Sequence, residues 1–203
     1  MKQSAGDLEQ IVSRETIERL RWFETELRRW TQRINLIARA DVEHIWHRHV
    51  LDSVQLLPLI AETITDGIDL GAGAGFPGLV LAIARPGLRM SLVESDQRKA
   101  AFLQHVAAAL SVDVVVCAAR IEKISLAQAS MVTARALAPM DRLLGYAAPL
   151  LTSDGFCLFP KGRNGEAELT EARRGWQMTV ERVSSRTDPE AVIFRLDGVR
   201  RAE

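Results

Sequence analysis

The most informative segment of this chain is Ile68-Asp69-Leu70-Gly71-Ala72-Gly73-Ala74-Gly75-Phe76-Pro77-Gly78. An apolar run precedes the glycines and predicts a strand, and the apolar residues that follow predict a helix. Glycine permits the left-handed dihedral angles of a tight turn and lets a ligand approach the backbone. Amide groups at the start of the helix can then face a polar ligand. The stretch therefore predicts a nucleotide-type binding loop in an α/β protein.

Two classes of cofactor compete for this loop. Gly73, Gly75 and Gly78 match the dinucleotide fingerprint G-x-G-x-x-G, which is a weak signal when it stands alone. The wider frame places an acidic residue, Asp69, before glycines at alternate positions, beginning at Gly71. This frame is similar to the loop that binds S-adenosylmethionine, a ligand with an amino-acid end, an adenosine and no pyrophosphate.

A carboxylate on the next predicted strand supports binding of a ribose. Glu94 ends that strand and can accept hydrogen bonds from both ribose hydroxyls, as it could in either cofactor class. Two observations disfavour an NAD-dependent dehydrogenase. The loop follows a long helical segment, and Tyr146, the one tyrosine available as an acid, lies in a segment that offers no lysine. Methyl transfer is therefore the better interpretation.

Strands and helices alternate after the loop. Strands are predicted over 67–70, 90–94, 112–116, 130–135 and 156–160, and helices over 76–85, 97–110 and 139–151. This alternation indicates βαβ units and a parallel sheet. The apolar runs 176–183 and 191–196 flank Asp188-Pro189 and predict an antiparallel edge.

The region ahead of the loop has a helical pattern instead. Apolar residues recur there at spacings of three and four, at Ile17, Leu20, Phe23, Leu27, Trp30 and Ile34. A second helical pattern covers 47–60, so that residues 7–60 as a whole are expected to be helical. We therefore expect one domain over 1–203, with a helical N-terminal extension over 1–62 and a cofactor-binding α/β core over 63–200.

Composition and charge exclude several functional classes. The 26 basic and 26 acidic residues balance, so any RNA binding must be local rather than due to an overall positive field. Cys117 and Cys157 lie in apolar runs and are expected to be reduced thiols. The cluster of His44, His47 and His49 has no further ligand at useful spacing, so we expect no metal site. The absence of a signal peptide and of a long apolar stretch predicts a cytoplasmic protein that does not contact a membrane.

Six short motifs point to one family. In chain order they are Arg33-Ile34-Asn35-Leu36, Arg48-His49-Val50-Leu51-Asp52-Ser53, the loop from Asp69 to Gly78, Arg120-Ile121-Glu122, Ala134-Arg135-Ala136 and Lys161-Gly162. Over roughly residues 15–195 the chain resembles the ribosomal RNA small subunit methyltransferase G family, also called glucose-inhibited division protein B. The resemblance implies a doubly wound, mostly parallel seven-stranded sheet with S-adenosylmethionine as cofactor. It also implies methylation of guanine N7 in the decoding-centre loop of 16S ribosomal RNA, within the small ribosomal subunit, with no obligate protein partner.

The resemblance further implies roles for individual residues. The cofactor-binding residues would be Gly71, Gly73, Gly75 and Phe76 in the loop, Glu94 at the ribose, Ile121 and Glu122 at the adenine, and Arg135. The catalytic residues would be Arg135, Lys161, Asn35 and His49, and Arg48 would also face the site. Phe76 and Glu94 stand where the family often has leucine and aspartate, two changes that preserve an apolar wall and a carboxylate.

Three other functions stay open on the sequence alone. Balanced charge favours a methyltransferase that acts on a small molecule. The dinucleotide fingerprint allows an NAD-dependent reductase. A non-catalytic RNA-binding or ribosome-binding module is the third, because Arg135 and Lys161 could serve assembly alone.

The chemistry of guanine N7 limits what these residues can do. N7 carries a free lone pair and no proton, so its attack on a sulfonium methyl group needs alignment rather than a general base. The methylated guanine is a cation, and a free lysine beside N7 would oppose its formation. We therefore expect Arg135 and Lys161 to hold phosphates, O6 or the cofactor carboxylate. Substitution of either by alanine should lower activity, and an unchanged rate on the native substrate would contradict this.

Overall fold

A computed structural model of the chain describes residues 11–202. Its strands are β1 (Asp66–Leu70), β2 (Arg89–Val93), β3 (Val114–Cys117), β4 (Ala129–Ala134), β5 (Leu151–Lys161), β6 (Trp176–Ser184) and β7 (Val192–Arg201). Its α-helices are α1 (Arg14–Thr31), α2 (Asp52–Val54), α3 (Gly78–Ala84), α4 (Gln97–Leu110), α5 (Met140–Ala147) and α6 (Gly165–Ala172). A π-helix (Trp46–Leu51) leads directly into α2.

The strands form one seven-stranded sheet in the order β3-β2-β1-β4-β5-β7-β6. The first five strands are parallel, and β7 runs antiparallel to both β5 and β6. The predicted fold class is thus confirmed, including the antiparallel edge. The winding reverses between the adjacent strands β1 and β4, which creates a crevice at their carboxyl ends, where open α/β sheets bind ligands.

Helices cover both faces of the sheet. On one face α1 packs against α3 and α4, and Leu20, Phe23 and Leu27 of α1 are completely buried there. The predicted apolar stripe of α1 therefore forms part of the main core. On the other face α5 and α6 pack together over a second apolar cluster.

The segment between α1 and the sheet differs from the continuous helix predicted over 7–60. Residues 32–38 form no regular helix, and the adjacent Leu36 and Ile37 are both buried there. The predicted helix over 47–60 is a π-helix followed by short helical turns. Ser53 and Arg135 donate hydrogen bonds to the carbonyls of His49 and Arg48 in this segment. Residues 7–10 lie outside the described part of the chain.

One helix of the fold was not predicted, and one strand was predicted too short. Helix α6 was missed, and β5 extends over eleven residues, whereas the sequence predicted only 156–160. Cys117 is half-buried and Cys157 is buried, and both are free thiols within strands. Within residues 11–202, no helix is long and apolar enough to cross a membrane.

The packing of α1 predicts a large effect of one substitution. Phe23→Ala removes a completely buried ring that contacts Phe76 and Phe102, and should lower the free energy of unfolding by about 3–5 kcal/mol. Urea denaturation measures this difference. Glu18→Ala, an exposed position on the same helix, is the matched control and should change stability by less than about 0.5 kcal/mol. Equal stabilities of the two variants would contradict the packing described.

Candidate active site

A buried carboxylate anchors the glycine loop. Asp69 lies near the end of β1 with no exposed surface, and it accepts hydrogen bonds from the Gly78 amide (2.9 Å) and the Thr133 hydroxyl (2.7 Å). These bonds join β1 to the start of α3 and to β4. Burial raises the pKa of the Asp69 carboxyl to about 6. A Cβ atom at Gly78 would lie 2.5 Å from the Cβ of Asp69, so this contact requires glycine.

The loop itself requires glycine at its first turns. Gly71 and Gly73 have φ values of 69° and 56°, in the left-handed region that other residues rarely adopt. A Cβ at Gly71 would also lie 2.7 Å from Leu137, which belongs to the loop after β4. The loops after β1 and β4 therefore approach each other closely at the switch point of the sheet.

Glu94 is held in place at the carboxyl end of β2. Its side chain is buried, and its two oxygens accept hydrogen bonds from the amides of Gly73 (2.9 Å) and Asp96 (2.7 Å). The first of these bonds ties the glycine loop to the neighbouring strand. A carboxylate with both oxygens fixed has a defined orientation toward the cavity that it lines.

A cavity of about 350 Å³, here called the smaller cavity, opens above these strands. The predicted cofactor-binding residues that line it are Gly71, Gly73, Glu94, Ile121, Glu122 and Arg135. Gly75 and Phe76 do not line it. Gly75 is buried beneath Leu79, and Phe76 packs edge-on against Phe23 of α1. These two residues stabilise the loop from behind.

Three side chains that line the smaller cavity are joined by hydrogen bonds, and the sequence analysis assigned only one of them, Glu122, to the site. The Tyr146 hydroxyl donates to Glu122 (2.7 Å), and Arg142 donates to the Tyr146 oxygen (2.8 Å). The hydrogen bond from Tyr146 is the main reason that the pKa of Glu122 is lowered. The Glu122 carboxylate is therefore charged at neutral pH, at the position predicted for the adenine.

A second cavity, here called the larger cavity, has a volume of about 710 Å³. The two cavities share Arg135, Ala136, Leu137 and Ala138, the segment that follows β4. Ala136 has a φ of 52°, an uncommon backbone conformation for a residue other than glycine. Such conformations concentrate where function constrains the backbone. The segment 135–138 thus forms the boundary between the two cavities. Ligands bound in the two cavities would meet at this boundary.

Arg135 is fixed at this boundary by Asp52. The Arg135 guanidinium lies 3.1 Å from the Asp52 carboxylate and 4.9 Å from the centre of the Phe76 ring. The other oxygen of Asp52 accepts hydrogen bonds from Thr187 (2.7 Å) and Gln55 (2.9 Å). Asp52 therefore links the helical extension, the end of β4 and the loop between β6 and β7. Asp52 lies within the Arg48–Ser53 motif, but no pattern in the sequence assigns it this role.

Lys161 also lines the larger cavity, and it is also paired with a carboxylate. Its buried ammonium group donates to the Ala138 carbonyl (2.7 Å) and to Oε2 of Glu168 (2.8 Å). The same Oε2 accepts a hydrogen bond from the Met140 amide (3.0 Å). Glu168 belongs to α6, the helix that the sequence analysis missed. The acidic residues in its first turn were the available signal for that helix.

The cations of the larger cavity are therefore all matched by carboxylates. The three pairs are Arg48 with Asp41, Arg135 with Asp52, and Lys161 with Glu168. Asp188 contributes a further carboxylate to the wall. The wall thus carries no excess of positive charge.

The two other predicted catalytic residues do not line either cavity. His49 is stacked on Phe76 with ring centroids 5.0 Å apart, and none of the described residues hydrogen-bonds to its ring nitrogens. Burial, with a further contribution from Arg135, lowers the pKa of His49 to about 4. Asn35 is exposed in the irregular segment after α1. The structure brings Arg135 and Lys161 together and places His49 behind Phe76.

Comparison with known proteins shows the family of the chain. Residues 16–191 match the sequence model of the GidB family, described as rRNA small subunit methyltransferase G. The chain belongs to this family. It is 52% identical to ribosomal RNA small subunit methyltransferase G of Acidiphilium cryptum, over 98% of this chain and 96% of that protein. It is 54% identical to the protein of the same name from Granulibacter bethesdensis, over 94% of this chain and 89% of that protein.

Solved structures show the same fold at low sequence identity. N-methyltransferase NodS from Bradyrhizobium japonicum, in complex with S-adenosyl-L-homocysteine, is 15% identical with a TM-score of 0.59. The match covers 88% of this chain and 97% of NodS. TYW2 from M. jannaschii, in complex with AdoMet, is 13% identical with a TM-score of 0.59, over 85% of this chain and 80% of TYW2. The GidB chain thus has the fold of known methyltransferases.

The lowered pKa of His49 predicts a pH-dependent stability. An unfolded histidine gains a proton near pH 6.5, whereas His49 in the folded protein does so only near pH 4. Unfolding therefore takes up a proton between these values, and the contribution of His49 to stability is lost as the pH falls. The stability advantage of the wild type over His49→Gln should decrease from pH 7 to pH 4 in urea denaturation. His44→Gln, at an exposed position, is the matched control, and a pH-independent difference for His49→Gln would contradict the assignment.

Proposed function

We propose that this protein transfers the methyl group of S-adenosylmethionine to N7 of one guanine in 16S ribosomal RNA. One observation carries the proposal beyond family membership. A nucleotide-type cavity and a larger, charge-balanced cavity meet at the segment 135–138, where Arg135 is held by Asp52. The smaller cavity would hold the cofactor, and the larger cavity would hold the guanine.

The residues of the smaller cavity fit an adenosylmethionine. Gly71 and Gly73 leave the backbone open to the ligand, because their left-handed turns carry no side chain. Glu94 presents a fixed carboxylate for the ribose hydroxyls, and Ile121 contributes an apolar surface for the adenine. When bound, the cofactor supplies an electrophilic methyl group on a positively charged sulfur.

The larger cavity fits the charge change of the reaction. Guanine N7 needs no base, because it carries a lone pair and no proton. The base becomes a cation on methylation, and a wall with excess positive charge would oppose this. Pairing with Glu168 and Asp52 neutralises Lys161 and Arg135, so both cations can orient polar groups of the substrate without that penalty. Alignment of the base with the methyl group is then the main contribution of the protein.

The proposed substrate is the guanine within the small ribosomal subunit in the cytoplasm. The chain has equal numbers of basic and acidic residues, and many arginines on its described surface are paired with carboxylates. Affinity for free RNA through phosphate contacts alone would require unpaired positive charge. A structured ribosomal particle can supply shape and additional contacts that this surface does not. The enzyme is proposed to act without an obligate protein partner.

The test is methylation of ribosomal particles in solution. Small subunits from a strain that lacks the gene are incubated with the purified protein and labelled S-adenosylmethionine. We expect label in 16S RNA as 7-methylguanosine at one site, and no label in subunits from the parent strain, which already carry the methyl group. The same assay with 16S RNA free of protein tests the particle as substrate. Absence of label in both, despite measurable cofactor binding, would contradict the proposed function.

A further inference from the structure

One oxygen of Glu168 is available to a ligand in the larger cavity. Its Oε2 atom accepts hydrogen bonds from both Lys161 and the Met140 amide, but none of the described residues donates to Oε1. The side chain retains 28% of its accessible surface and lines the larger cavity. The ion pair therefore fixes the carboxylate through one oxygen and leaves the other oxygen without a donor among the described residues.

Guanine has the complementary chemistry. Its Watson–Crick edge carries two adjacent donors, the N1–H and the 2-amino group, whereas adenine has an acceptor at N1 and no 2-amino group. Enzymes that modify a base commonly take it out of the stack and bind this edge by hydrogen bonds. A carboxylate oxygen with free lone pairs accepts from both guanine donors.

The position of Glu168 agrees with the geometry of the base. N7 lies on the imidazole ring, and the six-membered ring separates it from the N1 and 2-amino edge. Glu168 lines the larger cavity and not the smaller one, so it is removed from the proposed cofactor site. Arg135 lies at the boundary between the cavities, where N7 would be methylated.

We infer that Glu168 determines specificity for guanine, by accepting hydrogen bonds at Oε1 from N1–H and the 2-amino group of the target base. The inference rests on the proposed function, since it concerns the base in that site. The same carboxylate then has two roles on its two oxygens. Oε2 holds and neutralises Lys161, and Oε1 binds the base. Formation of the cationic product also strengthens the donors that face Oε1, so the contact favours the reaction.

A comparison of Glu168→Gln with Glu168→Ala separates recognition of the base from the ion pair that Glu168 forms with Lys161. In Glu168→Gln the position of Oε2 must keep an acceptor, because Lys161 and the Met140 amide both donate to it. The carboxamide oxygen therefore takes that position, and its NH2 group faces the cavity, where it opposes the guanine donors. Glu168→Ala also loses the negative charge but presents no donor to the base.

The experiment measures kcat/KM of the wild type and both variants on small subunits that lack the methyl group. We expect a loss of about 10-fold for Glu168→Ala and about 100-fold for Glu168→Gln. A variant that only weakened the support of Lys161 would show the opposite order, since Gln keeps the acceptor and Ala does not. That order would overturn the inference. Melting temperature and affinity for S-adenosylmethionine serve as checks that both variants fold.

A second measurement uses the wild-type protein and does not depend on how the variants fold. Small subunits reconstituted with inosine at the target position lack the 2-amino group but keep N7 and O6. We expect kcat/KM to fall about 10-fold, and an unchanged value would overturn the inference. Methylation of the guanine subunits by the wild type tests the proposed function separately. If the wild type leaves those subunits unlabelled, the function itself fails, and the inference fails with it.

Discussion

The architecture of the site depends on the buried carboxylate of Asp69. It lies in the centre of the sheet and accepts hydrogen bonds from the Gly78 amide and the Thr133 hydroxyl. The first bond fixes where the glycine loop ends and α3 begins, and the second fixes β1 against β4. Burial of a carboxylate is costly unless its oxygens are hydrogen-bonded, so the loop and the two strands hold one arrangement. Both cavities are built on the loops that follow these strands.

Charge pairing is the second organising feature. A site for phosphate-rich RNA would ordinarily expose arginine and lysine, but here the cations that line the larger cavity are each bound to a carboxylate. Ion pairs of this kind contribute little net stability, because desolvation offsets their attraction. Their value lies in orientation and in the balance of charge around a base that becomes positive. Asp52 and Glu168 are thus as much part of the site as Arg135 and Lys161.

The sequence predicted the parts of the fold that depend on local pattern. The alternation of strands and helices was sufficient to predict the parallel sheet, and the spacing of the glycines was sufficient to predict the loop. The position of Glu94 at the end of a strand was sufficient to predict its place in the smaller cavity. The roles of Asp52 and Glu168 could not be predicted, because carboxylates on helices are usually solvated. Asp52 pairs with Arg135, which is 83 residues away, and Glu168 pairs with Lys161 from a helix that the sequence analysis missed.

Tertiary packing also explains where the structure differs from the pattern that the sequence predicted. Phe76 and Gly75 lie in the glycine motif but face α1 and Leu79, since the loop has an outer surface that meets the cavity and an inner surface that meets the core. The π-helix at Trp46–Leu51 arises where Arg135 and Ser53 bond to its carbonyls, and only the assembled fold supplies Arg135. Sequence periodicity cannot show which surface of the loop meets the core, nor which backbone carbonyls accept hydrogen bonds from residues elsewhere in the fold.

The proposed function requires that the cofactor occupies the smaller cavity and presents its reactive centre to the larger cavity across segment 135–138. A crystal structure of the protein with S-adenosylhomocysteine tests this most directly. We expect the ribose hydroxyls within hydrogen-bonding distance of Glu94, the adenine against Ile121 and the sulfur at the boundary beside Arg135. A ligand whose ribose lies away from Glu94, or whose sulfur faces away from the larger cavity, would contradict it.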